Sequence, residues 1–360
     1  MNVSSKVNCI DAHKMAMASV AMVVTNPCSP DPRVERHARW ISSEGHDVTI
    51  YAWDREHKHP KETLNEGYKI IRTRIGKTKS SKISVWRNKE KFLKSLDIKA
   101  DLVILNDTDT ISVSRKLNSK IILDIHDIAH AWPVMQQKNL ISRLASWKMR
   151  RDVVKNAKYI DRAICSSQGL SNYYKANFGI DSTVVMNRRD PVNYSRSENK
   201  KIGYFGRIRS FESIKYLVEA SNLAKFEIIL AGDGHAVDEI IKRFPEIDYR
   251  GPFIESELPK LMTEINVMYA MYNPNYLNIS EGALPVKMFD AAAFGIPTVT
   301  TSDCPMGNLC LEENLGHVAK YGDTNSISDA IQRTAGMEIS DIIGEVNERK
   351  NLINSISELI

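Results

Sequence analysis

The chain has 360 residues, which is longer than most single domains and enough for two domains, each with its own core. Hydrophobic residues make up 42% and charged residues 26%, the composition of an ordinary globular protein. No apolar run approaches the roughly 20 residues that a membrane span needs, and residues 1–16 lack the apolar core of a signal peptide. The five scattered cysteines contain no CxxC pair, which argues against a disulfide framework and a zinc site. We therefore expect a loose extension over residues 1–16 and a cytoplasmic protein without a bound metal.

The net charge of +5 is unevenly distributed along the chain. Residues 1–186 contain 31 Lys and Arg against 19 Asp and Glu, whereas residues 187–360 contain 18 against 25. Two stretches are especially basic: residues 69–94, with ten basic residues and one acidic residue, and residues 141–159. Such a surface would be attracted to anionic lipid headgroups, at about 1 kcal/mol per basic residue near the membrane. Nucleic acid would attract it as well, and lysines solvated on helix faces are an alternative of equal weight. The two stretches contain Trp86 and Trp147, respectively.

Short apolar segments alternate with helical patterns throughout both halves of the chain. Several segments are apolar almost without interruption, as buried parallel strands are. The alternation predicts right-handed βαβ units, and therefore two doubly wound, Rossmann-like α/β domains that face each other across a cleft. We expect the first domain over residues 17–186, the second over residues 187–338, and a C-terminal helix over residues 339–360. The predicted strands are SVAMVVT, DVTIYAW, KIIRTR, DLVILN, KIILDI and DRAICS in the first domain, and KIGYFG, FEIILAG, NVMYAMY, PTVTT and HVAKY in the second.

The first predicted strand is followed by a helix start in TNPCSPDPRVERHARW. In open α/β sheets ligands bind beyond the carboxyl ends of the strands, so this loop is expected at the cleft. Asp31 is placed to cap the helix and Pro32 suits its first position, which is the favoured interpretation of both. Arg33 stands at the positive end of the helix, where an anion would also bind, and we assign Asp31 and Arg33 to the acceptor side of the cleft. The loop has no GxGxxG, which argues against a nicotinamide cofactor.

Acids and a histidine follow the fourth and fifth predicted strands. In DIHDIAHAW, His126 is expected to face the cleft, where it could contact a reacting group or stabilise charge. A core histidine bonded to a backbone carbonyl is the alternative. The segment NDTD, residues 106–109, contains a DxD of the kind that binds Mg²⁺, although helix capping explains it more simply.

In the second half, cations and glycines follow two predicted strands. Arg207 and Arg209 come directly after the strand in YFGRIRS. Two guanidinium groups suit a diphosphate because they grip its oxygens bidentately and stay charged. Gly232 and Gly234, in LAGDG, form a strand-to-helix turn in which the backbone can approach a ligand closely, although GxG alone is weak evidence.

A helix is predicted over about residues 284–294, in SEGALPVKMFDAAAFGIPTVTT. It is apolar on every side except for Lys287 and Asp290, which share a face. Burying charge is costly unless the charge is paired or used. Amides near residues 282–284 would offer an anion site at the helix start, with Lys287 on a phosphate and Asp290 accepting hydrogen bonds from a ribose. The alternative is that Lys287 and Asp290 pair with each other.

Taken together, these motifs make the chain resemble the family 4 (group 1) glycosyltransferases from about Ala18 to its end. The most specific parts are DPRVERHARWISSEGHDVTIYAWDR, FGRIR, LAGDG and GALPVKMFDAAAFGIP. The resemblance implies the two-domain GT-B fold and transfer of a sugar from a nucleotide diphosphate sugar, usually with retention of anomeric configuration and without an essential metal. It also implies His126 near the donor sugar, Arg207 on the diphosphate, Asp290 on the ribose, and a last helix that returns to the first domain.

The sequence departs from the family pattern at two positions. The family often has two glutamates separated by seven residues; here the second is Asp290 and the first position is Gly282, with Glu281 one place earlier. The lysine expected a few residues after the first arginine is replaced by Glu212. The expected donor site is lined by Glu281, Gly282, Ala283, Leu284, Asp290, Gly232 and Gly234, and the catalytic set is His126, Arg207, Arg209 and Lys287, with Arg209 or Lys287 in place of the missing lysine.

The predicted function is transfer of a sugar from a nucleotide diphosphate donor to a lipid-linked or surface-glycan acceptor, at the inner face of an anionic membrane. No cofactor beyond the donor and no nucleic acid partner is expected. A retaining hydrolase would need two carboxylates about 5 Å apart, and the sequence identifies no such pair. The prediction is therefore front-face transfer, in which the leaving phosphate takes the acceptor's proton. A nucleotide-sugar epimerase and a catalytically inactive partner subunit are the alternatives.

Overall fold

The computed structural model of the chain describes residues 17–78, 81–136, 139–193 and 197–360. The described residues form two α/β units, each built around one open sheet, so the predicted pair of wound domains is confirmed. The predicted N-terminal extension, residues 1–16, lies outside the described residues, as does Lys79 of the first basic stretch. Of the helices in the described ranges, none has the length and apolar character that crossing a lipid bilayer requires.

The first sheet has eight strands, of which the central ones are the most apolar. Its strands are β1 (Ser19–Val24), β2 (Asp47–Trp53), β3 (Glu62–Asn65), β4 (Tyr68–Thr73), β5 (Leu102–Asn106), β6 (Lys120–Ile125), β7 (Arg162–Cys165) and β8 (Thr183–Val184). Their order is β3-β4-β2-β1-β5-β6-β7-β8, and all neighbours are parallel except β3 and β4. The register places Met22 beside Ile50 and Ile104, all fully buried, because helices cover both faces of the sheet.

The second sheet has six parallel strands and the Rossmann strand order. Its strands are β9 (Lys201–Phe205), β10 (Glu227–Ala231), β11 (Asp248–Tyr249), β12 (Val267–Ala270), β13 (Thr298–Thr301) and β14 (Gly316–Ala319). Their order is β11-β10-β9-β12-β13-β14. The order reverses between β9 and β12, as it does between β1 and β5 in the first sheet. Ligand crevices form at such reversal points, beyond the carboxyl ends of the strands.

The helices lie in the connections between these strands. In the first domain they are α1 (Pro32–Ser43), α2 (Lys82–Ser95), α3 (Trp132–Gln136), α4 (Leu140–Asn156) and α5 (Gln168–Phe178). In the second they are α6 (Phe211–Ala224), α7 (Val237–Arg243), α8 (Leu258–Thr263), α9 (Leu277–Glu281), α10 (Val286–Ala293), α11 (Pro305–Glu312) and α12 (Thr324–Ala335), followed by α13 (Val346–Ser357).

The chain returns to the first domain through α13. Leu352 and Ile356 of this helix are fully buried in the core that contains β1 and α1. Arg188, in the linker between the sheets, contacts Glu313 at the end of α11 at 2.5 Å and Glu348 of α13 at 3.1 Å. These buried ion pairs join the linker, the second domain and the returning helix at one place.

Candidate active site

The first-domain wall of the cleft is organised around Asp124, near the end of β6. Its carboxylate is fully buried and lies 2.6 Å from a terminal guanidinium nitrogen of Arg33. One of its oxygens lies 3.1 Å from both His37 Nδ1 and His126 Nε2. Arg33 and His37 come from α1, one helical turn apart, and His126 follows β6 directly. A single carboxylate therefore connects the first helix with the histidine that was expected to face the cleft.

The protonation states in this cluster follow from burial and from the paired charges. Burial alone would raise the pKa of Asp124, but Arg33 and the two histidines hold it well below its usual range. Burial also opposes a charge on His126, yet the carboxylates of Asp124 and Asp107 outweigh it and raise its pKa to about 9. His37 differs, because burial, aided by Arg33, lowers its pKa to about 3. At neutral pH the cluster thus contains a charged His126 and a neutral His37.

Asp107, in the loop after β5, holds the turn that carries His126. One of its oxygens accepts hydrogen bonds from the backbone amides of His126 and Asp127, at 2.9 and 3.1 Å. The other lies 3.6 Å from His126 Nδ1. Asp127 is in turn held by the indole N–H of Trp132 at 2.9 Å and by the amide of Ile128 at 2.8 Å. Both nitrogens of His126 therefore face carboxylates.

Of the two residues assigned to the acceptor side, Arg33 has a different role in the structure and Asp31 is the helix cap that the sequence favoured. Arg33 is only 5% exposed, and besides Asp124 it donates to the carbonyl of Val185 at 2.7 Å and to Asn187 at 3.2 Å. Its guanidinium is thus committed inside the protein, and we reassign it from anion binding to support of Asp124. Asp31 accepts from the Val34 amide at 3.3 Å, which is the predicted helix cap.

The NDTD segment likewise has structural partners. Asp107 binds backbone amides, and Asp109 accepts from the Thr25 hydroxyl at 2.7 Å and lies 3.5 Å from Lys89. Within the described ranges, no three His, Cys, Asp or Glu side chains are grouped so as to hold a metal ion. Metal independence itself stays a prediction.

The second-domain wall carries the two arginines after β9. Arg207 is mostly exposed and pairs with Asp233 at 2.5 Å. Arg209 is exposed and has no ion pair within the described part of the chain. Its charge nevertheless acts on its surroundings, since it counteracts the burial that raises the pKa of Asp127 and contributes to lowering that of Lys287. The charge of Arg209 therefore reaches both the first-domain wall and Lys287.

Gly232 and Gly234 hold the arginine loop in place. Both have a positive φ, of 132° and 156°, and a Cβ on either would clash with the backbone carbonyl of Gly206 or Ile208. The Ile208 amide donates to the Asp233 carbonyl at 2.8 Å. The two loops can approach this closely only because glycine stands at these positions. A contact of the glycines with the donor stays a prediction.

Lys287 is a buried lysine on α10, which begins at Val286 rather than at the predicted residue 284. The side chain is 8% exposed, and its Nζ lies 3.2 Å from the centre of the Tyr204 ring and 5.7 Å from that of Tyr272. Nζ has no hydrogen-bond partner among the described residues. Burial and the charge of Arg209 hold the pKa of Lys287 well below its usual range.

Asp290 does not pair with Lys287. One of its oxygens accepts from Arg189 Nε at 3.1 Å, and Arg189 also contacts Glu255 at 2.9 Å. Burial raises the pKa of Asp290, although Arg189 and Arg36 act against it. One oxygen of the carboxylate therefore accepts a hydrogen bond from the linker. The predicted hydrogen bonds from a ribose would have to go to the other oxygen.

The loop before α10 supplies fewer free amides than predicted. The amides of Gly282 and Ala283 donate to the carbonyl of Asn278, at 3.2 and 2.8 Å. Among the described residues, no partner is present for the amides of Leu284, Val286 and Lys287. The amides available at the start of α10 are thus those of Leu284 and the first helical residues, and an anion site there stays a prediction.

Two family models match this chain. The model described as Glycosyltransferase Family 4 matches residues 33–190, and the one described as Glycosyl transferases group 1 matches residues 199–336. The ranges do not overlap, and each takes in most of one domain. The chain belongs to the group 1 glycosyltransferases. No relative of this glycosyltransferase was found among the curated proteins.

Solved structures place the glycosyltransferase in the GT-B fold. Sucrose-phosphate synthase from Thermosynechococcus elongatus is similar with a TM-score of 0.68 and 14% identity, over 94% of this chain and 96% of the other. The Anabaena protein HepE, solved with UDP and glucose, has a TM-score of 0.66 and 13% identity, over 95% and 100%. WaaG, a glycosyltransferase involved in lipopolysaccharide biosynthesis, has a TM-score of 0.61 and 12% identity, over 93% and 94%. At this identity the likeness concerns the fold.

The sequence analysis did not assign a role to several residues of this glycosyltransferase site. Asp124 could have been found, because an acid near the end of an otherwise apolar buried strand needs a partner. His37 and Tyr204 gave no such signal, since a histidine in a helix and a tyrosine in a strand are common core residues. Arg189, at the start of the second predicted domain, was given no role.

Proposed function

We propose that this glycosyltransferase transfers a sugar from a nucleotide diphosphate sugar, with retention of anomeric configuration, to a lipid-linked or surface-glycan acceptor. The proposal rests chiefly on two basic side chains of the second-domain wall, the exposed Arg209 and the buried Lys287, for which the described residues supply no ionic partner. A diphosphate would pair with both and would favour the protonated form of Lys287, whose pKa is lowered in the free protein. Basic side chains without a counter-ion beside Tyr204, at the carboxyl end of β9, favour an anionic ligand at the position where nucleotides bind in α/β sheets.

The proposed chemistry follows from where charge develops. The bond between the anomeric carbon and the phosphate oxygen breaks, and its electrons leave with the diphosphate. The acceptor oxygen bonds to the anomeric carbon on the same face, and its proton passes to the leaving phosphate. Arg209, Lys287 and the free amides at the start of α10 would stabilise the growing negative charge. Arg207 would join them by exchanging Asp233 for a phosphate oxygen.

The proposed contact with a membrane rests on α4. This helix exposes a row of apolar side chains, each more than half exposed, at its N-terminal end. Basic side chains flank the row, and Arg151 lies over the Trp147 ring at 5.2 Å. An apolar helix face with a basic surround is the pattern of a helix that lies in the headgroup region of an anionic bilayer. The apolar residues are Leu140, Ile141, Leu144 and Trp147, and the basic ones are Arg143, Arg150 and Arg151.

A donor screen tests the transferase proposal. The purified protein is incubated with a panel of nucleotide sugars, with and without a membrane lipid extract, and release of nucleoside diphosphate is followed by mass spectrometry. Release from one donor that increases with lipid is the expected result. Conversion of a donor into its isomer without release would establish an epimerase instead. If no donor is bound or consumed, the protein is an inactive partner subunit.

Vesicle sedimentation tests the membrane contact separately. The wild type should sediment with vesicles that contain phosphatidylglycerol and stay in solution with pure phosphatidylcholine. The triple variant with Leu140, Leu144 and Trp147 changed to Gln should lose this binding. Leu223→Gln, an equally exposed leucine on α6, is the matched control and should bind like the wild type. If the wild type does not sediment with anionic vesicles, a soluble acceptor becomes the better proposal.

A further inference from the structure

We propose that Asp124 and Asp107 are positioning residues that keep His126 as a fixed imidazolium, so that His126 takes part in turnover by its charge and shape and does not exchange a proton. The part of this inference that concerns the donor sugar rests on the proposed function. The part that concerns the charge of His126 rests on this chain's own geometry. It deepens the proposed chemistry, because it removes the nearest histidine as a base for the acceptor.

The ring of His126 lies between two carboxylates. His126 Nε2 lies 3.1 Å from Asp124, and Nδ1 lies 3.6 Å from Asp107. A neutral imidazole has one N–H and one lone pair, so it can donate to only one of two carboxylates. The second carboxylate would then face a lone pair. The two contacts are ion-pair distances rather than aligned hydrogen bonds, since Nε2 has no hydrogen-bond partner among the described residues and 3.6 Å is too long for one. Only the imidazolium, with a positive charge shared by both nitrogens, attracts both carboxylates.

The turn and its acids are held rigidly. Asp107 accepts two consecutive amides, from His126 and Asp127, and its own amide donates to the carbonyl of Asp124 at 2.7 Å. Ser166 donates its hydroxyl to the His126 carbonyl at 3.0 Å. The backbone that carries the ring is therefore fixed, and the carboxylates of Asp124 and Asp107 stand on either side of the ring nitrogens.

Charged and titratable groups face His126 from α1, from the strand ends and from across the cleft. From α1 come Arg33, which disfavours a further positive charge, and His37, which burial keeps neutral. From the strand ends come Asp124, whose pKa is held low, and Asp107 and Asp127, whose pKa values burial raises, that of Asp107 to about 7. Asp107 is therefore ionised in the pH range where His126 loses its proton. The two nearest carboxylates outweigh Arg33, in agreement with a pKa of about 9 for His126. Across the cleft, the charge of Arg209 acts on Asp127.

Nuclear magnetic resonance of the full-length protein tests the charge directly. The His126 ring signals are assigned by their loss in His126→Gln and followed from pH 5 to 10. They should stay at imidazolium shifts through pH 8. In Asp107→Asn the amide oxygen can still accept both backbone hydrogen bonds, but the charge is gone, and the midpoint should fall by about one pH unit or more, a tenfold change in the protonation equilibrium. Asp109→Asn, whose carboxylate contacts Thr25 and Lys89 instead, is the matched control and should leave the midpoint unchanged.

The pH profile of transfer supplies the functional readout. Wild-type activity should show no ionisation of His126 below about pH 8, whereas Asp107→Asn should lose activity at a lower pH and recover it on acidification. A merely structural role of Asp107 would lower kcat equally at every pH. A wild-type midpoint near the ordinary value of 6.5, or an unshifted midpoint in both Asp107→Asn and Asp124→Asn, would overturn the inference. If the wild type consumes no donor, the proposed function fails, while the resonance titration still decides the charge of His126.

Discussion

The two walls of the cleft differ in how their charges are satisfied. On the first-domain wall, the buried Arg33 and the largely buried His126 both contact the buried Asp124, at 2.6 and 3.1 Å. On the second-domain wall, Arg209 and Lys287 have no ionic partner among the described residues. The first wall is complete once the chain has folded, because its charges neutralise one another. The second becomes complete only when an anion binds, so substitutions on the two walls should fail in different ways.

The largest expected effect is on stability, from Arg33→Ala on the first-domain wall. Removing this guanidinium leaves Asp124 buried without its main counter-charge, which should lower the free energy of unfolding by about 3–5 kcal/mol. Urea denaturation followed by circular dichroism measures it. The matched control is Arg39→Ala on the same helix, which is exposed and should change stability by less than about 0.5 kcal/mol. Equal stability of the two variants would show that the first wall is not held by this pair.

Arg209→Ala on the second-domain wall should lower activity and leave stability unchanged. The transfer rate should fall about 100-fold, since a charged donor to the leaving diphosphate is lost, while the melting temperature stays that of the wild type because no internal ion pair is broken. Steady-state kinetics with the donor found in the screen measures the loss. Arg243→Ala, at the far end of α7, is the control with unchanged kinetics. Should Arg209→Ala turn over normally while Arg207→Ala does not, Arg207 would be the diphosphate ligand.

Lys287→Met should change stability and ligand affinity in opposite directions. Methionine has a similar length and no charge, so the ligand-free protein should gain stability, on the order of 1 kcal/mol, offset in part by the lost contact with the Tyr204 ring. Affinity for a nucleoside diphosphate should fall in the same variant, which calorimetry measures. A loss of stability on this substitution would mean that the lysine is already satisfied in the free protein.

The pH dependence of stability tests whether Lys287 is uncharged in the folded protein. The folded-state pKa of Lys287 is lowered, so between that value and about 10.5 the unfolded state binds the extra proton. Lys287 therefore makes the wild type more stable as pH rises toward 10.5. Lys287→Met should remove this part of the slope, whereas Lys215→Met on the exposed face of α6 should retain it. Identical slopes in all three proteins would show that Lys287 is charged in the folded state.

The fold could be predicted from the sequence where burial marks the strands. Strands such as β1 and β5 are apolar almost throughout because both of their faces are covered. The strands that were missed, β3, β8 and β11, have two to four residues. They depend on pairing with a neighbouring strand rather than on a pattern of their own. The start of α10 was placed two residues early because Pro285 is its cap and not its first residue.

The site could be predicted only as far as topology allows. The ends of parallel strands meet at one edge, so His126, Arg207 and Arg209 could be placed there from their positions in the sequence. Which groups pair could not be predicted, since Arg33 and Asp124 are 91 residues apart and Arg189 and Asp290 are 101 apart. Such contacts depend on the angle of a helix over its sheet and of one domain against the other. For this reason the motif around Arg33 does not reveal that its guanidinium is bound to Asp124 and to the Val185 carbonyl.

The smallest expected effect concerns the place where the two walls touch. Gly169, in the first turn of α5, lies against Gly282 so closely that a Cβ on Gly169 would come within 2.8 Å of the Gly282 Cα. Because Gly169 has an ordinary φ, Gly169→Ala adds no backbone strain and even favours the helix. The added methyl should instead push the domains apart, raising the radius of gyration slightly and the KM for the donor about fivefold, as expected for overpacking of about 1 kcal/mol. Small-angle scattering and kinetics measure the two changes, and Asn172→Ala, exposed one turn further along α5, should alter neither. An unchanged radius together with a higher KM would mean that the loop before α10 yields while the domains stay in place, so that the second wall alone adapts to the donor.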